Sequence, residues 1–335
     1  MRGKIIIDGI AYYHPKKKVT NDFFFQHFNK QGKDVTHLFE DILGRKERYV
    51  IDNENKTKEE SENTLTMQIS ATRKVLEKCS LQGKDIDGII VTSQLNEYIA
   101  PPSAVLIHKA IGGNEHCFCY DINMNCIGML VAIQQAAQYI QNDTNIKHIL
   151  IVAGDSVNSS IDKQEERLYG EFGDSACAMI VSSTNTESAI IDTDFFIHYE
   201  RLDYLFFPKH GMSNVFRNGI QEFMVEQVGN PESDLKLIAE RIRKLVERNY
   251  LSLDQITVFC FSQFAQVNIR KLCELLHIPE TKCPYVGAKY GYTLSSSPIM
   301  ALESWIQMDK IKRGDYIILW TVGVGEQNVI LLIKY

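Results

Sequence analysis

Two hydrophobic periods alternate along the chain. Short β-branched runs at Gly88–Ser93 (GIIVTS), Ile149–Ala153 (ILIVA) and Ile256–Phe261 (ITVFCF) read as strands buried on both faces. Between them, apolar residues recur three and four positions apart, which predicts helices over Leu65–Cys79, Ala104–Ile111, Pro231–Asn249, Val267–Leu276 and Pro298–Met308. Further strands are predicted at Lys4–Ile10, His116–Ile122, Ser175–Ser182, Ala189–Phe196, Tyr316–Val322 and Val329–Ile333. This alternation implies an α/β fold, with a predominantly parallel sheet and helices on its faces. Ala11–Thr20, with the run Lys16-Lys17-Lys18, reads as a loop, and Tyr204–Val215 as an aromatic irregular segment. Asn21 is placed to cap a helix reaching His27. Leu38–Tyr49 is helical in pattern and closes on the charge cluster Gly44–Arg48.

One predicted helix is apolar nearly all round. Met129, Leu130, Val131, Ile133, Ala136, Tyr139 and Ile140 cover most of its surface, so it belongs at the centre of the protein. The turn Asn123-Met124-Asn125 precedes it and delivers Cys126 to its beginning. A thiol there faces the positive end of the macrodipole and unpaired N–H groups, which favours the thiolate that attacks carbonyl carbon. The competing reading is a buried structural cysteine.

The pattern also repeats. Adding 169 carries Ser93-Gln94 onto Ser262-Gln263, Cys126 onto Ser295, Ala132 onto Ala301 and Gly154 onto Gly323, with strand, turn and helix in the same order. The chain therefore reads as two halves of similar fold. Residues 1–184 carry the cysteine and residues 185–335 form the second half, joined near Ser183–Glu187.

Composition acts mainly by exclusion. With 335 residues, 44% of them hydrophobic, the chain can bury one large core or two fused ones. A net charge of −6 argues against a nucleic-acid binder. Asp8 cuts short the triplet Ile5–Ile7, so no signal-peptide core is expected, and no apolar run reaches the roughly 20 residues of a membrane span. The eight cysteines include no CxxC pair and no zinc spacing, which predicts reduced thiols in a cytoplasmic protein without a metal site.

Seven motifs, in order, carry a resemblance. They are Leu43–Arg48, Cys126–Met129, Phe172–Ala176, Val267–Arg270, Tyr290–Thr293, Ile311–Asp315 and Gly323-Val324-Gly325. Across essentially its whole length the chain resembles the ketoacyl-ACP synthase III branch of the thiolase superfamily. The resemblance implies a five-layered αβαβα fold and a homodimer, or a heterodimer with a related ketosynthase. It implies no tightly bound cofactor, an acyl-CoA or acyl-ACP phosphopantetheine thioester as substrate, acyl carrier protein as partner and a small-molecule acceptor. It makes Cys126 the acyl-accepting nucleophile, with the N–H groups of Cys126 and Gly325 as the oxyanion hole.

The departures from the family matter as much. Where its decarboxylating members carry histidine in a His-Gln-Ala-Asn motif, this chain has Ala265, and where they carry asparagine it has Tyr292. A methyl group donates nothing and a phenol offers a single O–H. Loss of such a donor costs on the order of 2.7 to 4 kcal/mol, so condensation with a malonyl thioester is not expected. Leu38 and Ile42 fall where typical members grip the CoA adenine with tryptophan and arginine. Arg270 matches a basic residue that contacts the carrier protein, with Lys271, Arg167 and Asn268 as further carrier or CoA contacts, or else as a solvated helix face. His198 or His210 could stand in for the missing base, or could be ordinary packed histidines. Three functions remain open: an acyltransferase that does not condense, a non-catalytic subunit of a complete ketosynthase, and a 3-oxoacyl-ACP synthase III starting fatty-acid or polyketide synthesis.

Overall fold

A computed structural model describes residues 4–185, 189–198, 205–219, 224–225 and 231–335. The first half runs β1 (Lys4–Tyr13), β2 (Lys17–Thr20), α1 (Asn21–Asn29), β3 (Glu47–Val50), α2 (Thr64–Cys79), β4 (Gly88–Thr92), α3 (Ser103–Ile111), β5 (Phe118–Ile122), α4 (Gly128–Asn142), β6 (His148–Asp155) and β7 (Ser175–Thr184). The second runs β8 (Ala189–Ile197), β9 (Leu205–Phe206), α5 (Met212–Asn218), β10 (Met224–Val225), α6 (Pro231–Arg248), β11 (Ile256–Phe261), α7 (Gln266–Leu276), α8 (Gly287–Tyr290), α9 (Ser297–Gln307), β12 (Tyr316–Gly323) and β13 (Gln327–Lys334).

The two main sheets share an order. One is β1-β7-β6-β4-β5, the other β8-β13-β12-β11, and each strand of the second matches one of the first. Only β5-β4-β6 and β11-β12 are parallel; β7 and β13 run antiparallel to both neighbours. The expectation of a predominantly parallel sheet is therefore corrected to a mixed one, because periodicity reports burial and not strand direction. Alternation sorts the strands' side chains into layers. Ile149 and Ile151 face inward with α4 and α9 and meet Ile317 and Leu319 of the other sheet, while Leu150 and Val152 face outward against α2 and α3. Phe259, Ile318 and Leu332 likewise pack under α6 and α7. The result is five layers, αβαβα, with α4 in the middle one.

Three local predictions change. Leu38–Tyr49 is not one helix: a single wide helical turn, Leu38–Ile42, ends before Gly44 (φ +68°), and Glu47–Val50 becomes a strand paired with Lys17–Thr20. The lysine run is thus partly strand and not loop, and β1 extends to Tyr13. Asn21 does not cap α1; it is buried, donating to the Arg45 carbonyl at 2.7 Å and accepting from Arg48 Nη1 at 2.7 Å. Part of the expected segment Tyr204–Val215 folds as β9 and the start of α5, while Tyr204 lies outside the described residues, as does part of the junction Ser183–Glu187.

Candidate active site

Cys126 sits in a three-residue turn, Asn125–Ile127, that runs straight into α4. Asn125 takes a left-handed φ of 49°, tolerated best by asparagine among residues with a side chain. Gly128 opens the helix because nothing larger fits: a Cβ there would lie 1.7 Å from Thr92 Oγ1. The next N–H, of Met129, donates to Ser295 Oγ at 2.9 Å, so the second half completes the start of α4. Gly323, ending β12, packs on the same turn, its Cβ position 3.3 Å from the Met124 carbonyl oxygen.

The sulfur opens onto a cavity of about 350 Å³. Its walls join three apolar clusters: one around Leu43 and Ala265, one around Cys126, Phe172 and Tyr292, and one under α6 that includes Phe196 and Trp320. On its wall Arg167 and Phe264 are exposed, whereas Trp320 and Asn328 are buried.

Burial governs the charge state of the thiol. It pushes Cys126 up to about 12, with nearby Asp155 adding to the rise, while a hydrogen bond from the Tyr292 side chain pulls in the opposite direction. At neutral pH the group is a thiol, which corrects the expectation of a thiolate; desolvation outweighs what the helix terminus offers. Asp155 is itself pushed up to about 6 by burial, against bonds from Leu95 N–H, Ser93 Oγ–H and Gln94 N–H.

Tyr292 is fixed through its main chain. Its N–H donates to the Glu171 carbonyl at 3.0 Å and its carbonyl accepts from Gly173 N–H at 3.1 Å. Phe264 meets its ring edge-on at 5.4 Å. Beneath lies the fully buried Arg45, whose Nη2 donates to the Glu171 carboxylate at 2.5 Å and to the carbonyls of Gln263 at 3.1 Å and Phe264 at 2.6 Å. One guanidinium thereby ties Glu171, whose carbonyl holds Tyr292, to the residues just before Ala265. Ala265 precedes α7 without a capping side chain, and its methyl packs with Phe39 and Leu43.

The predicted site residues divide. Cys126, Ala265, Tyr292, Asn268, Arg167 and His198 all line the cavity. Arg270 and Lys271 do not: they lie along α7, bonded to Gln266 at 3.1 Å and Glu274 at 3.0 Å. Arg167 is held by Glu165 through two 2.7 Å bonds. Gly325 has φ +86°, but in its turn Val322, Val324 and Glu326 form the cavity wall. His210 is absent from that wall. Asp234, Glu326, Ser262 and Gln94 line the cavity and were not singled out as site residues; the repeated Ser-Gln pair was the one signal pointing at the last two. Among the described residues no His/Cys/Asp/Glu group could hold a metal ion, and no helix is long and apolar enough to cross a membrane.

Comparison with known proteins agrees with this fold. A family model described as 3-oxoacyl-[acyl-carrier-protein (ACP)] synthase III matches residues 120–197, and the model of that family's C-terminal part matches 246–335. The chain is similar to a beta-ketoacyl-[acyl-carrier-protein] synthase III of Coxiella burnetii, 25% identical over 324 residues and covering 95% of each chain. Its fold is similar to the crystal structures of 3-oxoacyl-[acyl-carrier-protein] synthase III from Aquifex aeolicus (TM-score 0.84, 23% identity, 99% of this chain and 100% of that one) and of the Thermus thermophilus counterpart (0.82, 19%, 98% of each).

Proposed function

The chain belongs to the 3-oxoacyl-ACP synthase III-like branch of the thiolase superfamily, and on that premise we propose that it is an acyltransferase that does not condense. Cys126 takes an acyl group from an acyl-ACP or acyl-CoA thioester and passes it to an oxygen, nitrogen or sulfur acceptor. Sulfur attack gives a tetrahedral oxyanion, held by the Cys126 N–H and by an N–H of the Gly323–Gly325 turn; collapse releases the carrier thiol and leaves acyl-Cys126. The observation that supports the reading is the pair Ala265 and Tyr292 on the wall of the cavity that Cys126 also lines. Malonyl decarboxylation leaves an enolate that needs donors, yet the methyl has none and the phenol hydrogen-bonds the thiol itself. The apolar Leu38 and Ile42, where the family grips adenine, favour a carrier-bound donor, with Arg167 and Asn268 at the cavity and Arg270 and Lys271 outside it as carrier contacts.

Intact-mass measurement after incubation with acyl-ACP and acyl-CoA tests this. We expect one acyl adduct, absent from Cys126→Ala, and no CO2 from malonyl-ACP. The double variant Ala265→His/Tyr292→Asn should gain malonyl decarboxylation. CO2 release by the unaltered protein would overturn the proposal. A second reading, a silent subunit supporting a complete ketosynthase, draws on the strongly raised thiol. It requires that Cys126→Ala leave the activity of a reconstituted pair unchanged.

A further inference from the structure

The acyl-transfer reading leaves a proton unaccounted for. An incoming alcohol or amine must lose one as it attacks the acyl carbon, and Ala265, at the family's histidine position, cannot take it. Among the described residues lining the cavity, the single imidazole is His198. It follows β8 directly, and its N–H donates to the Glu326 carbonyl at 3.1 Å, next to the turn that packs on the cysteine turn. Its Nδ1 lies 3.0 Å from Asp234 Oδ1 on α6, with 26% and 12% of the two side chains exposed. Elements from two directions therefore hold a histidine and a carboxylate against one wall of the chamber that the sulfur enters.

The internal repeat supplies a second, independent observation. In the first half the Ser93 hydroxyl donates to Asp155 at 2.8 Å. Adding 169 to 155 places Val324 where the aspartate would be, and Ser262, the counterpart of Ser93, has a buried Oγ with no partner among the described residues. Ser262 lines the same cavity. A buried hydroxyl left unpaired is costly, and a ligand's polar atom would recover that cost.

Resting on the acyltransferase reading, we propose that His198, oriented by Asp234, is the general base for a protic acceptor, an alcohol or amine, whose second polar atom is held by Ser262. In this scheme the imidazole carries its proton on Nδ1, 3.0 Å from Asp234 Oδ1, and Nε2 takes the acceptor proton as the new carbon–oxygen or carbon–nitrogen bond forms. The tetrahedral adduct then expels sulfur, breaking the carbon–sulfur bond, and the imidazolium returns the proton to the thiolate. No oxidant or reductant is needed. Asp234 is a positioning residue in this scheme, and His198 is the catalytic one.

The test isolates the second half-reaction. Cys126 is loaded with butyryl p-nitrophenyl ester, confirmed by intact mass, desalted, and followed as the adduct decays with 1-butanol or with hydroxylamine. Hydroxylamine cleaves thioesters without help from a base. Removal of a general base typically costs 10²–10⁴-fold, so His198→Ala and His198→Gln should lose about 100-fold or more toward butanol while keeping the wild-type rate toward hydroxylamine. Asp234→Asn should lose less in the same pattern, and with 1,3-propanediol, whose second hydroxyl Ser262 would hold, Ser262→Ala should raise the diol concentration for half-maximal rate without moving the rate toward 1-butanol or hydroxylamine. Unchanged butanol decay in both His198 variants would overturn the inference while sparing acyl transfer. No adduct on the unaltered protein would sink the acyl-transfer reading, and this inference with it.

Discussion

The two turns related by the internal repeat share a backbone and differ in use. Asn125 and Leu294, 169 apart, both take left-handed φ values, 49° and 53°, and each turn leads directly into a central helix, at Gly128 and Ser297. Cys126 lines the cavity at 5% exposure. Ser295 is wholly buried, its oxygen accepting from the N–H of Met129. One copy of the motif presents a reactive atom, and the other copy clamps the helix that presents it. A duplicated scaffold can thus divide chemistry and support between its copies, with a thiol at residue 126 and a hydroxyl at the equivalent residue 295.

The sharpest attempt to break this contrast exchanges the two groups. In Cys126→Ser/Ser295→Cys the thiol is moved to the buried turn, and intact mass after incubation with acyl thioester should show no adduct at residue 295. An adduct there would mean that the turns are interchangeable.

A second contrast is electrostatic. Asp155 is pushed up from the usual carboxylate range to about 6, and its counterpart is Val324, which does not titrate. A carboxyl raised on folding binds more protons in the folded state, so its contribution to stability is present below about pH 4 and is lost as pH rises through 6. Chemical denaturation between pH 4 and 7 should show a decline that is smaller in Asp155→Asn by a few kcal/mol.

Helix openings should differ next. Gly128→Ala drives a methyl into Thr92 and should cost about 1–3 kcal/mol, as overpacking does. Ser297→Ala, at the matching position, removes a buried hydroxyl with no partner among the described residues and should be neutral or slightly stabilising. Between these two falls Ser295→Ala, expected to cost about 1 kcal/mol from the orphaned Met129 N–H. Thermal melts of the three variants rank them.

Those turns were legible because their signals are local. The mostly apolar α4 and the polar turn before Cys126 each lie within a short window of sequence, and the repeat matches such windows pairwise. Arg45 and Arg48 were read only as members of a charge cluster; their burial was not legible, since the carboxylate that admits Arg45 is Glu171, 126 residues away. The thiolate expectation failed similarly: a helix terminus can be read from neighbours, whereas burial of the sulfur depends on Tyr292, Phe172 and Val157 arriving from elsewhere. Lys17–Thr20 lacks strand periodicity and is a strand only because Glu47–Val50 pairs with it. Asp234 carries no signal within its amphipathic helix; only folding brings it to His198.

The bond from Met129 to Ser295 has one more consequence. Because the socket holding the sulfur is finished by Ser295 from the opposite repeat, the first half alone lacks the residue that completes it. Cutting this chain at its midpoint should therefore yield two fragments that are inert apart and regain the nucleophile's setting only on reassociation.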